Sequence, residues 1–444
     1  MPEGLEKILL RFWTICLTGY AFLGKGFAYI GIPPIFVDAF LWGMAFLYLL
    51  FHLDFLLILR DWNLTLLSCF MIIGILRTVP YLSIYKIDAL RDGVIWGYGL
   101  FAIVMAYIIW KYPVDVIAVQ WFSKWMMWFP IWAPFALFAY WVFGKSMPQI
   151  PWASGIPVIF LKGGDVAVHL IGTLGFWLLF QSYWPVSGLR ARLFWAGWLI
   201  AFVFSIVIVR AAFVTVTLVA AFLVFFVSPV RWIKVTATVV FFVMIFAIFR
   251  INIDVGRERT ISFNQLVTNV TSIFSSTENF SGEHSKKWRL NWWKKIVDYT
   301  FNGPYFWTGK GFGINLADDD GFQVLKNKAL RSPHNGHLTI LARSGVPGFF
   351  IWVSFLILFF IRIYKSYRRW KNNGSILDAR LRLWVMAYVL AAIVNTGFDV
   401  YMEGPQGGVW LWTLLGFGLG LLLRDQALAY AHSDGTYVLS AVRG

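Results

Sequence analysis

The sequence predicts an all-α polytopic membrane protein of about twelve transmembrane helices, with one large loop between the ninth and tenth spans. Three observations predict it. Hydrophobic residues fill 59% of the 444 positions and charged residues only 14%, against roughly 25% charged in a soluble globular domain. The apolar residues come in runs of about 17 to 22, long enough to cross a hydrocarbon core of about 30 Å as helices. The 25 Trp and 43 Phe lie within or beside those runs, where amphipathic rings anchor helix ends at the headgroups.

The runs centre near residues 15, 43, 70, 102, 135, 172, 200, 219, 240, 355, 389 and 415. The stretch from Met1 to Arg11 lacks a small-residue cleavage site after its apolar part, so the first span is expected to stay. With the N-terminus in the cytoplasm, Arg190 and Arg192, Arg231 and Lys234, and the run Lys365, Arg368, Arg369, Lys371, Arg380 and Arg382 all fall on the cytoplasmic side, as the bias of basic residues requires. The net charge of +16 is thereby explained by membrane orientation, and nucleic acid is not an expected partner. Cys16 and Cys69 lie in or beside apolar runs, which indicates neither a disulfide framework nor a zinc site.

This topology sends the one long hydrophilic segment, Asn252 to Ser332, to the opposite face. The segment mixes charges, glycines and aromatics and contains an amphipathic helical pattern from Lys286 to Tyr299, so it is expected to fold over the membrane surface. The organisation expected is transmembrane helices one to nine over 1–250, a loop with short helices over 251–346, helices ten to twelve over 347–424 and a cytoplasmic tail over 425–444. No internal repeat divides the chain into halves, which weighs against a repeat-built transporter.

The sharpest local signal is Arg331-Ser332-Pro333-His334-Asn335-Gly336-His337-Leu338, followed by Ser344-Gly345-Val346-Pro347-Gly348. It reads as a short helix capped by Ser332, with Pro333 at its first position and Gly345 and Pro347 as its stop. His334 would lie in the first turn, where the positive dipole end favours a neutral imidazole able to accept a proton. His337 would share the same face. The other reading is a pair of interfacial histidines satisfied by backbone or water. No HExxH pattern or cysteine cluster accompanies them, so no metal is expected.

Pro333-His334-Asn335, Leu338, Gly345 and Gly348 resemble the His-Asn signature of O-antigen ligases and the related polymerases. Arg210, in Val207-Ile208-Val209-Arg210-Ala211-Ala212, resembles the arginine that the family carries near the end of a helix before its loop. Arg289-Leu290-Asn291-Trp292-Trp293, then Gly309-Lys310-Gly311-Phe312-Gly313, resemble its loop helix and glycine-rich turn. The resemblance covers roughly residues 190 to 420, and Arg210 lacks the Ser-Arg-Gly context common in the family. It implies a periplasmic loop in a bacterial inner membrane protein. The implied reaction passes a glycan from a polyprenyl-pyrophosphate donor to a sugar hydroxyl of a glycan or lipid-linked acceptor, with inversion and without cofactor. His334 or His337 would be the base, and Arg210 and Arg289 would hold the pyrophosphate. Ligase, polymerase and exopolysaccharide assembly all stay open.

Arg210 also interrupts an apolar stretch on its own account, a costly position that is usually functional unless the side chain snorkels to the headgroups. Asn335, with Asp399 and Glu403 four apart at the end of the eleventh span, are candidates for support. Asp318-Asp319-Asp320 reads as a solvated turn, and His169 and His52 as packing or interface residues. A transporter or flippase of lipid-linked saccharides is the competing class; it predicts charges near mid-membrane in both halves, and the first half is poor in them.

Overall fold

The computed structural model describes residues 4–33, 35–153, 155–181, 188–227, 252–254, 260–262, 264–268 and 281–433, with residues 233, 236, 244 and 248. Its main helices are α1 (Leu5–Leu23), α2 (Val37–Phe51), α3 (Trp62–Tyr85), α4 (Ile87–Lys111), α5 (Asp115–Phe143), α6 (Gly163–Phe180), α7 (Gly188–Ile208), α8 (Arg210–Val224), α9 (Ser281–Val297), α10 (Gly336–Asn372), α11 (Ile376–Thr396) and α12 (Pro405–Ser433). Among the described residues, seven helices are long and apolar enough to cross a membrane, or eight if α2 and the turn Leu53–Arg60, bent 92° from it, form one span. Every expected centre but one falls inside a helix. The exception, near residue 240, lies with Arg231 and Lys234 outside the described residues, as does most of 252–280.

The spans that fall short of the criterion do so for visible reasons. The 19 residues of α1 reach about 28 Å at 1.5 Å per residue, but Glu6, Lys7 and Arg11 crowd its start. The 21 residues of α11 begin with Asp378, Arg380 and Arg382. The 15 residues of α8 are simply short.

At the centre, α12 packs along α4. Gly416 and Gly420 allow it, because a Cβ on either would lie 2.4 Å from the Ala102 carbonyl oxygen or 2.5 Å from Ile109 Cβ. Small residues four apart are what lets helix backbones approach inside a membrane. α10 packs on α3 and α11, and α11 on α6. The two ends of the bundle differ in charge. One gathers Arg362–Asp61 and Arg424–Asp115 at 2.6 Å, Lys111–Asp54 at 3.0 Å and Arg382–Asp425 at 2.6 Å, together with exposed Lys365, Arg368, Arg369 and Lys371. The other receives the start of α6, the end of α7, the start of α10 and the end of α11, and carries α9.

The start of the His-Asn helix needs correction. The His-Asn helix does not start at Ser332: its cap is Asn335, whose side-chain oxygen accepts from Leu338 N at 3.1 Å, and its first residue is Gly336. His334 is therefore outside the helix. The chain before Asn335 is held out of the helix, because the Pro333 carbonyl accepts from Trp293 Nε1 at 2.9 Å and His334 has φ 53°. Gly345 does end the first helical stretch: its backbone is non-helical (φ 69°), and a second stretch, with Pro347 near its start, runs on to Asn372.

Candidate functional site

His334 has φ 53°, a left-handed conformation that costs an L-residue about 1–2 kcal/mol. The cost is met by its neighbours: Trp293 holds the Pro333 carbonyl, and Asn335 is tied into α10 through its cap and through Thr339, whose N–H donates to the Asn335 carbonyl at 2.9 Å. Strain over-determined in this way clusters at functional sites. The imidazole stays 31% exposed, and its Nδ1 lies 3.4 Å from Asp399 Oδ1.

Asp399 and Glu403 do not share a helical face, because α11 ends at Thr396 and Gly397 caps it. They part. Asp399 turns to His334, accepts the Val400 N–H at 2.8 Å and receives Lys162 Nζ on both oxygens at 3.2 and 3.0 Å. Burial pushes its carboxyl up, yet the Lys162 ammonium and the His334 contact outweigh burial and hold it well below the usual carboxylate range. A carboxylate that stays ionised can only accept, so the His334 proton belongs on Nδ1 and the lone pair on Nε2. Glu403 instead accepts from Thr339 Oγ1 at 2.7 Å. Burial raises its carboxyl despite the Ser332 and Thr339 hydrogen bonds.

His337 is placed differently. Its Nε2 meets the Ile393 carbonyl at 3.1 Å and its Nδ1 accepts from Trp352 Nε1 at 3.1 Å, so both ring nitrogens are engaged in packing α10 against α11 and the bend. His169, bonded to the Tyr388 hydroxyl at 2.7 Å, and His52, beside Tyr48 and Glu6, are likewise packing or interface residues.

Arg289, on α9, donates to the Phe398 carbonyl at 3.1 Å, one residue from Asp399. The amphipathic loop helix expected over 286–299 is this α9, and it lays Trp293 and Arg289 on the motif. Arg210 begins α8 immediately after a break at Val209 (φ −130°, ψ 111°). A Cβ on Gly163 would lie 3.2 Å from Val209 Cγ2, so Arg210 starts its helix beside the start of α6 and Lys162. Lys162 was not anticipated, although its signal was present: Lys162-Gly163-Gly164-Asp165 is a charged, glycine-opened start to an apolar span.

The acidic run is not a solvated turn throughout. Asp320 is buried; it accepts from Lys310 Nζ and from Trp292 Nε1 at 2.7 Å, while Lys310 also reaches Asp319. The N–H groups of the glycine-rich turn are committed: Lys310, Gly311 and Phe312 donate to the Ala342, Arg343 and Arg77 carbonyls, and Gly313 to Asp92 Oδ2 at 3.2 Å. Gly311 and Gly313 have φ 82° and 108°, and the carbonyls of Gly311 and Ile314 accept from Arg343 while that of Gly313 accepts from Arg331. Both arginines pair with Asp92 of α4, at 2.9 and 2.8 Å. These contacts fasten the loop to the bundle. Asp92 was not singled out from the sequence. A cavity of about 700 Å³ between Phe226, Tyr367 and Arg368 lies at the opposite end and borders none of these groups.

Residues 195–353 match a family model described as O-antigen ligase. This region belongs to the O-antigen ligase family. The family region holds Arg210, Arg289, His334, Asn335 and His337 and stops short of Asp399 and Glu403. Lys162 precedes it. No curated protein matches the chain. The multi-pass helical fold and the family region together indicate an O-antigen ligase or polymerase type of activity on lipid-linked glycans in general.

Proposed function

We propose that the chain is a glycosyltransferase that moves a glycan from a polyprenyl-pyrophosphate donor to an acceptor sugar hydroxyl, at the periplasmic face of a bacterial inner membrane. The observation that carries this reading is the contact of His334 with Asp399, which Lys162 keeps ionised, on the family motif and beside Arg289. The concentration of basic residues at the opposite end of the bundle supports the orientation.

With its proton on Nδ1, His334 offers Nε2 to the acceptor hydroxyl. As that oxygen bonds to the anomeric carbon, its proton passes to Nε2, the bond from that carbon to the diphosphate breaks, and the diphosphate leaves with the electron pair. One displacement of this kind inverts the anomeric centre. Asp399 faces the imidazolium that forms and stabilises it. Arg289 and Arg210 meet the charge that develops on the leaving diphosphate; a guanidinium suits this because its planar fork donates paired hydrogen bonds and stays charged. The bent start of α10 and α9 above it hold base and arginine on one rigid support.

The test is transfer by purified protein in lipid, given a polyprenyl-pyrophosphate glycan and a glycan acceptor without ATP. A new glycosidic bond with release of polyprenyl diphosphate is expected. Movement of the intact donor between leaflets with no bond formed would replace this reading by a transport one.

A further inference from the structure

A second ammonium stands beside Lys162. Lys25 follows α1 at Gly24, and its backbone N–H donates to the Phe160 carbonyl at 3.0 Å, while Phe160 N–H donates to the Leu23 carbonyl at 3.0 Å. Gly24 and Phe160 form a parallel bridge. Gly24 has φ 61°, and a Cβ there would fall 2.2 Å from the Phe160 oxygen; a Cβ on Gly26 would fall 1.9 Å from that of Val158. The two segments are thus locked together by backbone, two residues before Lys162.

The Lys25 ammonium sits 5.7 Å from the Phe160 ring and 5.8 Å from the Tyr29 ring, and among the described residues it forms no ion pair with a carboxylate. Its charge is felt by the same groups that meet His334. Burial lowers the Lys25 pKa, Lys162 lowers it further, and Asp399 only partly offsets them. Lys162 is answered by Asp399 and by Asp165 at the start of α6, whereas the one carboxylate acting on Lys25 is Asp399, already paired with Lys162 and one residue from the carbonyl that Arg289 holds. Glu403, a third nearby acid, is committed to Thr339. With Arg289, three cations thus face Asp399 and Asp165. A partly desolvated excess of positive charge at a site is favourable only with an anion present.

We infer that Lys25 is a substrate-binding residue, an ammonium that contacts the phosphoryl oxygens of the donor's diphosphate together with Arg289. The inference rests on the proposed function. It assigns part of the diphosphate site to the first span, outside the family region, and leaves the base and its support unchanged. Aromatic walls keep the ammonium extended without neutralising it.

The test is binding of a short-chain polyprenyl diphosphate, carrying no sugar, to the full-length protein in lipid nanodiscs. Lys25→Gln should weaken binding about 10- to 100-fold, the usual loss for a charge-assisted hydrogen bond. Lys25→Arg should restore most of it, and the affinity of the wild type should fall more steeply with salt than that of Lys25→Gln. Lys326→Gln, at an exposed loop lysine, should bind like the wild type. Thermal melting of Lys25→Gln near that of the wild type confirms that affinity, not folding, is being read. If the wild type binds the diphosphate and Lys25→Gln binds it equally well, the assignment of Lys25 is wrong and the proposed function stands; if the wild type does not bind it, both fall together.

Discussion

Replacing Asp399 with asparagine keeps the shape of the side chain and removes its charge. The imidazolium that forms at His334 in the transition state faces Asp399 across 3.4 Å. A full pair at that separation is worth about 5 kcal/mol at an effective dielectric of about 20. Lys162 shares the same carboxylate and repels the imidazolium, and the imidazole charge is only part-formed in the transition state, so roughly 2 kcal/mol remains. That is about 30-fold in rate. An asparagine can also turn its NH₂ toward Nδ1 and favour the wrong tautomer, which brings the expected loss of turnover to about 10²-fold or more. The assay is glycan transfer at saturating donor, with donor affinity measured separately and expected to change little. The pH dependence has a defined sign. Asp399 titrates below its ordinary range, so its contribution to stability is present above the unfolded carboxyl pKa of about 4 and is lost only as pH falls through the lower folded value. The difference in melting temperature between wild type and Asp399→Asn should thus be flat from about pH 6 to 8. Turnover within threefold of wild type would refute the role of Asp399 as the support of a base.

Three further outcomes are expected. His334→Ala should lower turnover about 10²- to 10⁴-fold with donor binding kept, whereas His337→Ala, which strands the Trp352 N–H and the Ile393 carbonyl, should cost roughly 2 kcal/mol of stability and leave the surviving protein active; the reverse pattern in a transfer assay would make His337 the base. Arg289→Lys should stay impaired in diphosphate binding because a single ammonium cannot both hold the Phe398 carbonyl and present a planar fork; titration with a polyprenyl diphosphate checks it. Alkaline phosphatase fused at Gly321 should be active and at Asn373 inactive, and the opposite result would invert the orientation and remove the periplasmic mechanism.

The helical class and nearly all the helix centres could be read from the sequence because lipid imposes length and hydropathy on each helix separately, though seven or eight of the described helices meet both. The loop helix was legible for a related reason: Trp288, Trp292 and Ile296 recur at helical spacing. What the sequence did not disclose depends on pairings between distant segments. Asn335 rather than Ser332 caps α10 because Trp293, forty residues earlier, holds the Pro333 carbonyl. Lys162 becomes part of the site only when α6 is set against the end of α11, and Asp320 is buried only because Trp292 and Lys310 close over it. The two histidines, three apart in one motif, could not be separated by local rules. One faces Asp399 and the other is spent between Trp352 and Ile393.

The bend at Gly345 sets the site apart from the elasticity of the surrounding bilayer. Beyond it, α10 runs on from Val346 to Asn372 as a lipid-crossing rod, and such rods lean when acyl chains are shorter or longer than the apolar stretch. Before it, the stretch carrying Asn335 is tied to the loop: Lys310 and Gly311 donate to the Ala342 and Arg343 carbonyls. A change of tilt is therefore taken up at one glycine with φ 69° instead of being levered into the His334–Asp399 distance. Transfer rates should be nearly indifferent to acyl-chain length in reconstituted membranes, a tolerance suited to an enzyme whose substrates are themselves long lipids that perturb the thickness around them.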